Sequence, residues 1–187
     1  MTMTLKAGAM IGFLTVASGE ARADLWIETF DAEAQQRWSY VQDGVMGGVS
    51  DGDLTFEEED GASFARLKGR VSTDNNGGFI QFRAGIRGGL PSETEALRLR
   101  VKGNGESYYV FIRTTDRKRP WHSYRASFTA TEDWRVVDLD LASFTASHAE
   151  LPQTFTPENI TGIGFVAYGR DFYADLLVSD LGLVMAQ

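Results

Sequence analysis

Few side chains in this sequence could carry covalent chemistry. There is no cysteine, and His122 and His148 are the two histidines. Thiolate nucleophiles, iron–sulfur clusters and cysteine-ligated zinc are thereby excluded, and a multi-histidine metal centre nearly so. Neither histidine stands near a Gly-x-Ser-x-Gly elbow, and no Ser, His and Asp combine into a triad except by free choice. Asp51-Gly52-Asp53 opens like a calcium loop, but Phe56 occupies the sixth position and Ala62 the twelfth, where glycine and glutamate are needed. Asp175 and Asp180 remain as scattered candidates for a structural calcium. Gly162-Ile163-Gly164-Phe165-Val166-Ala167 fits G-x-G-x-x-A, yet it lies inside an apolar run with no helix to follow, so the glycines are read as close-packing positions in a strand. No catalytic residue, metal or cofactor is expected.

What remains is binding chemistry, and it falls in two sets. One is a sugar-type set: aromatic faces for the apolar side of a ring and polar groups for hydroxyls, drawn from Trp121, His122, Tyr124, Tyr109 and Arg113. Core packing is the preferred reading of Tyr109, and His122, just before a strand, suits a surface or stacking role as well as a protonic one. The other set is two glycine-rich strings. Residues 38–50 hold Asp43, Met46, Gly47 and Gly48; residues 72–83 hold Asn75, Asn76, Gly77, Gly78, Phe79 and Arg83. Glycine and asparagine tolerate the left-handed backbone region, so both strings read as tight turns. Such turns either shape the fold by packing on each other or build a surface for a partner.

The elements that position these residues are strands. The chain has 187 residues, 43% hydrophobic, with 20 Gly and 4 Pro, which suits one domain of short strands and tight turns. Residues 65–71 alternate apolar or small groups with cations, the pattern of a strand with one buried face. Residues 54–57 alternate similarly, and Asp60-Gly61 between the two runs signals a hairpin. The acidic residues 57–60 are then explained by cross-strand proximity to Arg66, Lys68 and Arg70. Further strands are expected at 79–83, 97–102, 108–114, 123–128, 134–141, 160–168 and 176–184. Helical signals are short: a turn capped by Asp31 and reaching Arg37, another at 142–149, and a single turn opened by Pro157. Two antiparallel sheets packed as a jelly-roll sandwich bury these faces most simply.

Lys plus Arg number 18 against 26 Asp plus Glu, for a net charge of −8. That balance opposes a nucleic-acid partner. Met1 to Lys6 carry a positive charge, residues 7–17 are mostly apolar, and Ala21-Arg22-Ala23 offers a small-x-small cleavage site. Residues 1–23 are therefore expected to be a signal peptide, with 24–187 the single domain and a periplasmic or secreted location; the alternative is an uncleaved, membrane-associated anchor. The apolar run is too short to span a bilayer, and no transmembrane span is expected.

The string with its Asp43-x-Val45-Met46-Gly47-Gly48-x-Ser50 core, and Asn75-Asn76-Gly77-Gly78-Phe79 followed by Arg83, resemble the signature of the complex I intermediate-associated protein 30 family. Residues 101–108 are similar to that family's glycine turn, with Asn104 where Asp is common, and residues 124–128, 134–141 and 160–164 resemble its later strands. The resemblance covers about residues 30–184. It implies a galactose-binding-like jelly roll that is not an enzyme, and, in mitochondrial members, an assembly factor attached to respiratory complex I intermediates. The expectation is a noncatalytic module that holds a protein partner through its glycine-rich loops, with a carbohydrate-binding module of the cell envelope as the alternative.

Overall fold

The computed structural model describes residues 24–186; the expected signal segment lies outside the described residues. Twelve strands follow one another: β1 (Asp24–Glu28), β2 (Ser39–Gln42), β3 (Asp51–Glu59), β4 (Ala62–Val71), β5 (Phe79–Gly85), β6 (Thr94–Gly103), β7 (Ser107–Thr114), β8 (Tyr124–Thr129), β9 (Arg135–Asp140), β10 (Thr145–Ala146), β11 (Ile160–Tyr168) and β12 (Phe172–Met185). They form two antiparallel six-stranded sheets. The first, sheet A, runs β3-β4-β12-β6-β9, with β1 also paired to β12; the second, sheet B, runs β10-β8-β7-β11-β5-β2.

The hairpin expected at Asp60-Gly61 closes with Glu59 opposite Ala62. Both turn residues have positive φ, 52° and 76°, the conformation whose twist matches paired strands. Among the described residues helix is confined to one turn, Ala34–Arg37, and to short 3-10 turns, including the one that Pro157 opens. The helical reading of 142–149 is corrected. Leu141–Ser143 make a 3-10 turn, and Thr145 and Ala146 add to the edge of β8 opposite Arg125 and Tyr124. A β-branched Thr beside an unpaired strand edge favours that pairing over a helix too short to nucleate alone.

Between the sheets lies one core. Alternate residues of β7, β8, β11 and β5 point into it, among them Tyr108, Tyr124, Phe165 and Phe82. Phe82 stacks on Phe165 at 4.9 Å between ring centroids, and Trp38 and Phe30 close the cluster at 5.3 and 6.1 Å from Phe82. Below that cluster Glu28 is buried, accepting from Arg37, from Trp38 Nε1 and from the Phe30 amide. Burial pushes its carboxyl up, but those donors outweigh burial and hold it below the ordinary glutamate value.

The outer faces of the two sheets differ in charge bookkeeping. On sheet A, cations meet acids: Arg66 forks onto Asp175 at 2.8 Å for both bonds, and Arg98 onto Asp138 at 2.7 Å for both. The cross-hairpin reading of Arg66 is thus only partly realised, since its contact with Glu57 is long, at 3.8 Å. Asp175, once a calcium candidate, is neutralised by Arg66, and Asp180 faces Arg100 at 3.9 Å.

Candidate functional site: a glycine clasp and the outer face of sheet B

The two glycine-rich strings fold onto one buried carboxylate. Asp43 opens the 3-10 turn Asp43–Met46 after β2 and is fully buried. Its Oδ1 accepts from the Ser50 amide at 3.0 Å; its Oδ2 accepts from Ser50 Oγ at 2.5 Å, from the Gly78 amide at 2.6 Å and from the Phe79 amide at 3.2 Å. Ser50 Oγ in turn accepts from the Ser72 amide at 2.9 Å. Burial pushes the Asp43 carboxyl up, but these donors prevail and hold it below the ordinary aspartate value.

The glycines are where this clasp needs them. A Cβ on Gly48 would run into the Asp43 side chain, and one on Gly77 would come within 2.5 Å of Asp43 Oδ2 and 2.9 Å of the Ser72 carbonyl. Asn75 and Asn76 take positive φ, 56° and 60°, to turn the chain back toward β5. Of the partner-surface residues read from the sequence, Asp43, Gly48, Gly77 and Gly78 are thus spent within the protein. Met46 is 59% exposed and lies between Val45 and Val49, exposed by 76% and 41%, while Asn75 and Asn76 are exposed on the other loop. Phe79 is half-buried, opposite Tyr168 at the near end of sheet B. Arg83 is four pairs further along, opposite Gly164.

From the clasp, the outer face of sheet B runs away along the strands. At its near end Tyr109 and Tyr168 meet edge to face at 5.8 Å, and Phe111 lies 5.4 Å from Tyr168. The Arg125 guanidinium sits 4.5 Å from the Phe111 ring and 4.9 Å from that of Tyr168, and donates to the Tyr168 hydroxyl at 3.1 Å. A depression of about 450 Å³ opens here, lined by Tyr109, Arg125, Ser127, Thr145 and Tyr168 among others.

Further along, the floor of the face loses its side chains. Gly162 and Gly164 of β11 lie between Arg113 and Phe111 of β7 on one side and Gly85 and Arg83 of β5 on the other. Gln81 Oε1 leans over this floor, 3.3 Å from where a Gly164 Cβ would stand. Gln81 and Arg113 are 5% and 9% exposed, and Gln81 Oε1 and Arg113 Nε have no hydrogen-bond partner among the described residues. Burial, and then the neighbouring Arg83 and Arg117, push the Arg113 guanidinium down to about 10. The face is a glycine-floored trough with an aromatic end and a cationic end.

The sequence-derived sugar set does not come together. Tyr109 and Arg113 do share this face, and Tyr109 packs there and not in the core. Tyr124 is corrected: it alternates inward, is fully buried, and donates its hydroxyl to the Pro152 carbonyl at 2.9 Å. His122 is corrected too, since it is buried and stacked on His148 at 4.8 Å. Trp121 is exposed in the loop after β7, under Arg119. Missed from sequence were Arg125, Tyr168, Phe111 and Gln81. The every-second-residue spacing of Tyr109, Phe111 and Arg113 was the available signal.

Fold and site together define a jelly-roll domain, a two-sheet sandwich with a shaped outer face. Among solved structures, the chain is similar to a family 11 carbohydrate-binding module from Clostridium thermocellum in complex with a β-1,3-1,4-mixed-linked tetrasaccharide: TM-score 0.72, 15% identity, covering 89% of this chain and 98% of that one. It is also similar to a family 30 carbohydrate-binding module of a cellulosomal cellulase of the same organism: TM-score 0.55, 17% identity, covering 87% and 98%. At these identities the likeness shows the fold. No curated protein matches the chain. The family model of complex I intermediate-associated protein 30 matches residues 28–175, and the chain belongs to that family. The match takes in the clasp and most of the trough.

Proposed function

We propose that this protein is an exported, noncatalytic binding module whose outer sheet B face holds an extended glycan. The observation that carries the reading is the joining of Tyr109, Tyr168 and Arg125 around an open depression, continued by a glycine floor over which Gln81 and Arg113 leave polar atoms unpaired. Aromatic rings suit the apolar faces of sugars, and unpaired amide and guanidinium groups suit hydroxyls. Likeness to carbohydrate-binding modules supports the choice of ligand class, and the sheet's paired backbone leaves recognition to side chains. Affinity electrophoresis of the purified chain through a panel of soluble polysaccharides tests it. Retardation by at least one polymer, lost in Tyr168→Ala with the fold intact, is the expected result; no retardation by any would end the reading.

A second reading has its own observation. The exposed Val45, Met46 and Val49 at the rim of the clasp form an apolar tip, and the family description points to intermediates of complex I as the kind of partner. In this reading the tip docks on a protein. Met46→Asp should then abolish crosslinking to a defined membrane complex while leaving the melting temperature unchanged, because Met46 makes no part of the Asp43 network.

A further inference from the structure

The outward residues of sheet B include Arg83, Arg113 and Arg125 and no Asp or Glu at all, in a chain with 26 acidic residues. Neither Arg83 nor Arg113 makes an ion pair among the described residues, and Arg125 is held by Ser123 Oγ and the Tyr168 hydroxyl. Sheet A shows the contrary habit, with Arg66 and Arg98 each forked onto an aspartate. Arg113 is also nine-tenths buried with Nε unpartnered. An unpaired buried cation is costly, and leaving one beside Arg83 and Arg117 is costlier still, unless an anion arrives to complete the site.

We propose that the trough takes a carboxylate-bearing sugar chain, a uronate-containing glycan, with Arg113 and Arg83 receiving acid groups on either side of the Gly162 and Gly164 floor and Tyr109 and Tyr168 receiving the ring faces. This rests on the glycan reading above and names its ligand class. The geometry separates a sugar from an acidic peptide. The floor lies in the middle of a sheet whose backbone groups are paired on both sides, so a peptide could not add as a strand. A guanidinium binds a carboxylate through two parallel bonds, which suits the repeated acid groups of a uronate polymer.

The test is titration calorimetry of the full chain with polygalacturonate and alginate oligomers, a neutral mixed-linkage glucan oligosaccharide, and poly-glutamate. Uronate binding that falls at least tenfold in Arg113→Met and in Arg83→Met, and is unchanged in Arg70→Met on sheet A, supports the proposal. Gly164→Ala, which places one methyl on the floor, should weaken uronate binding by a similar factor while circular dichroism and melting stay near those of the parent. Tighter binding of the neutral glucan than of uronates would overturn the proposal and leave the glycan reading standing. Equal binding of poly-glutamate would overturn it by reducing recognition to charge. Binding of neither glycan would overturn both.

Discussion

At the scale of single residues, two buried charged groups do opposite work. Asp43 accepts four hydrogen bonds that tie β2–β3 to β4–β5, so its removal strands three backbone amides and leaves the Ser50 hydroxyl only the Ser72 carbonyl as acceptor. Asp43→Ala should cost about 2 to 4 kcal/mol, read as a fall in the urea midpoint. Because its folded pKa is lowered, the stability it contributes is full above the ordinary aspartate value and is lost as pH falls through the folded one. The parent should therefore lose stability on acidification more steeply than Asp43→Ala in urea titrations across that range. Arg113 is the reverse case. Its guanidinium is pushed down, so burying the cation is a cost that is fully present below its folded value, near 10, and is relieved only above it. Arg113→Met should then raise the melting temperature at neutral pH, by about 1 to 2 kcal/mol of added stability, while losing ligand. A melting temperature below the parent's would show that Arg113 is a packing residue instead. Neither role was legible in the sequence: an Asp in a glycine loop looks like a surface contact, and an Arg on a central strand carries no mark of its missing partner.

At the scale of elements, legibility followed the number of wet faces. β3 and β4 were readable because one face of each meets water, and Asp60-Gly61 marked their turn. That turn is held by conformation and not by contact, since a Cβ on Gly61 would meet nothing within 4 Å at φ +76°. Gly61→Val should cost about 1 to 2 kcal/mol in thermal unfolding through backbone strain alone, with ligand titration unaffected. A loss of binding in that variant would mean that the hairpin reaches the site. β7 was harder. Tyr108, Val110 and Ile112 face the core, while Tyr109, Phe111 and Arg113 face the trough. Both faces are bulky, so the alternation that reveals a one-sided strand is masked: Tyr109 reads as core and Phe111 carries no signal of its own, while Arg113 alone stands out as a ligand-facing group. The glycine strings were found at once because their composition is unusual, but their two readings could be separated only by the carboxylate between them.

At the scale of the whole molecule, the sandwich separates charge that the composition averages away. The net charge of −8 opposes polyanions as a class, and the sequence-based exclusion of nucleic acid rests on it. Sheet A pairs Arg66, Arg98 and Arg100 with its own aspartates, and sheet B keeps Arg83, Arg113 and Arg125 on a face without acids. A polyanion must therefore approach against the long-range field of an acidic protein and bind at a local cationic strip. These two contributions respond differently to salt. Exposed charges more than about 10 Å apart are largely screened at 0.1 M salt, whereas a half-buried contact is screened much less. Raising ionic strength from low values should first speed association of a uronate oligomer by screening the repulsion, and only at higher salt weaken the complex through its Arg contacts. Stopped-flow association rates and equilibrium titrations from about 0.01 to 0.5 M salt resolve the two. An association rate that falls monotonically from the lowest salt would mean attraction dominates at a distance, which is the signature of a ligand steered by a broad basic surface and not of one recognised inside a narrow trough.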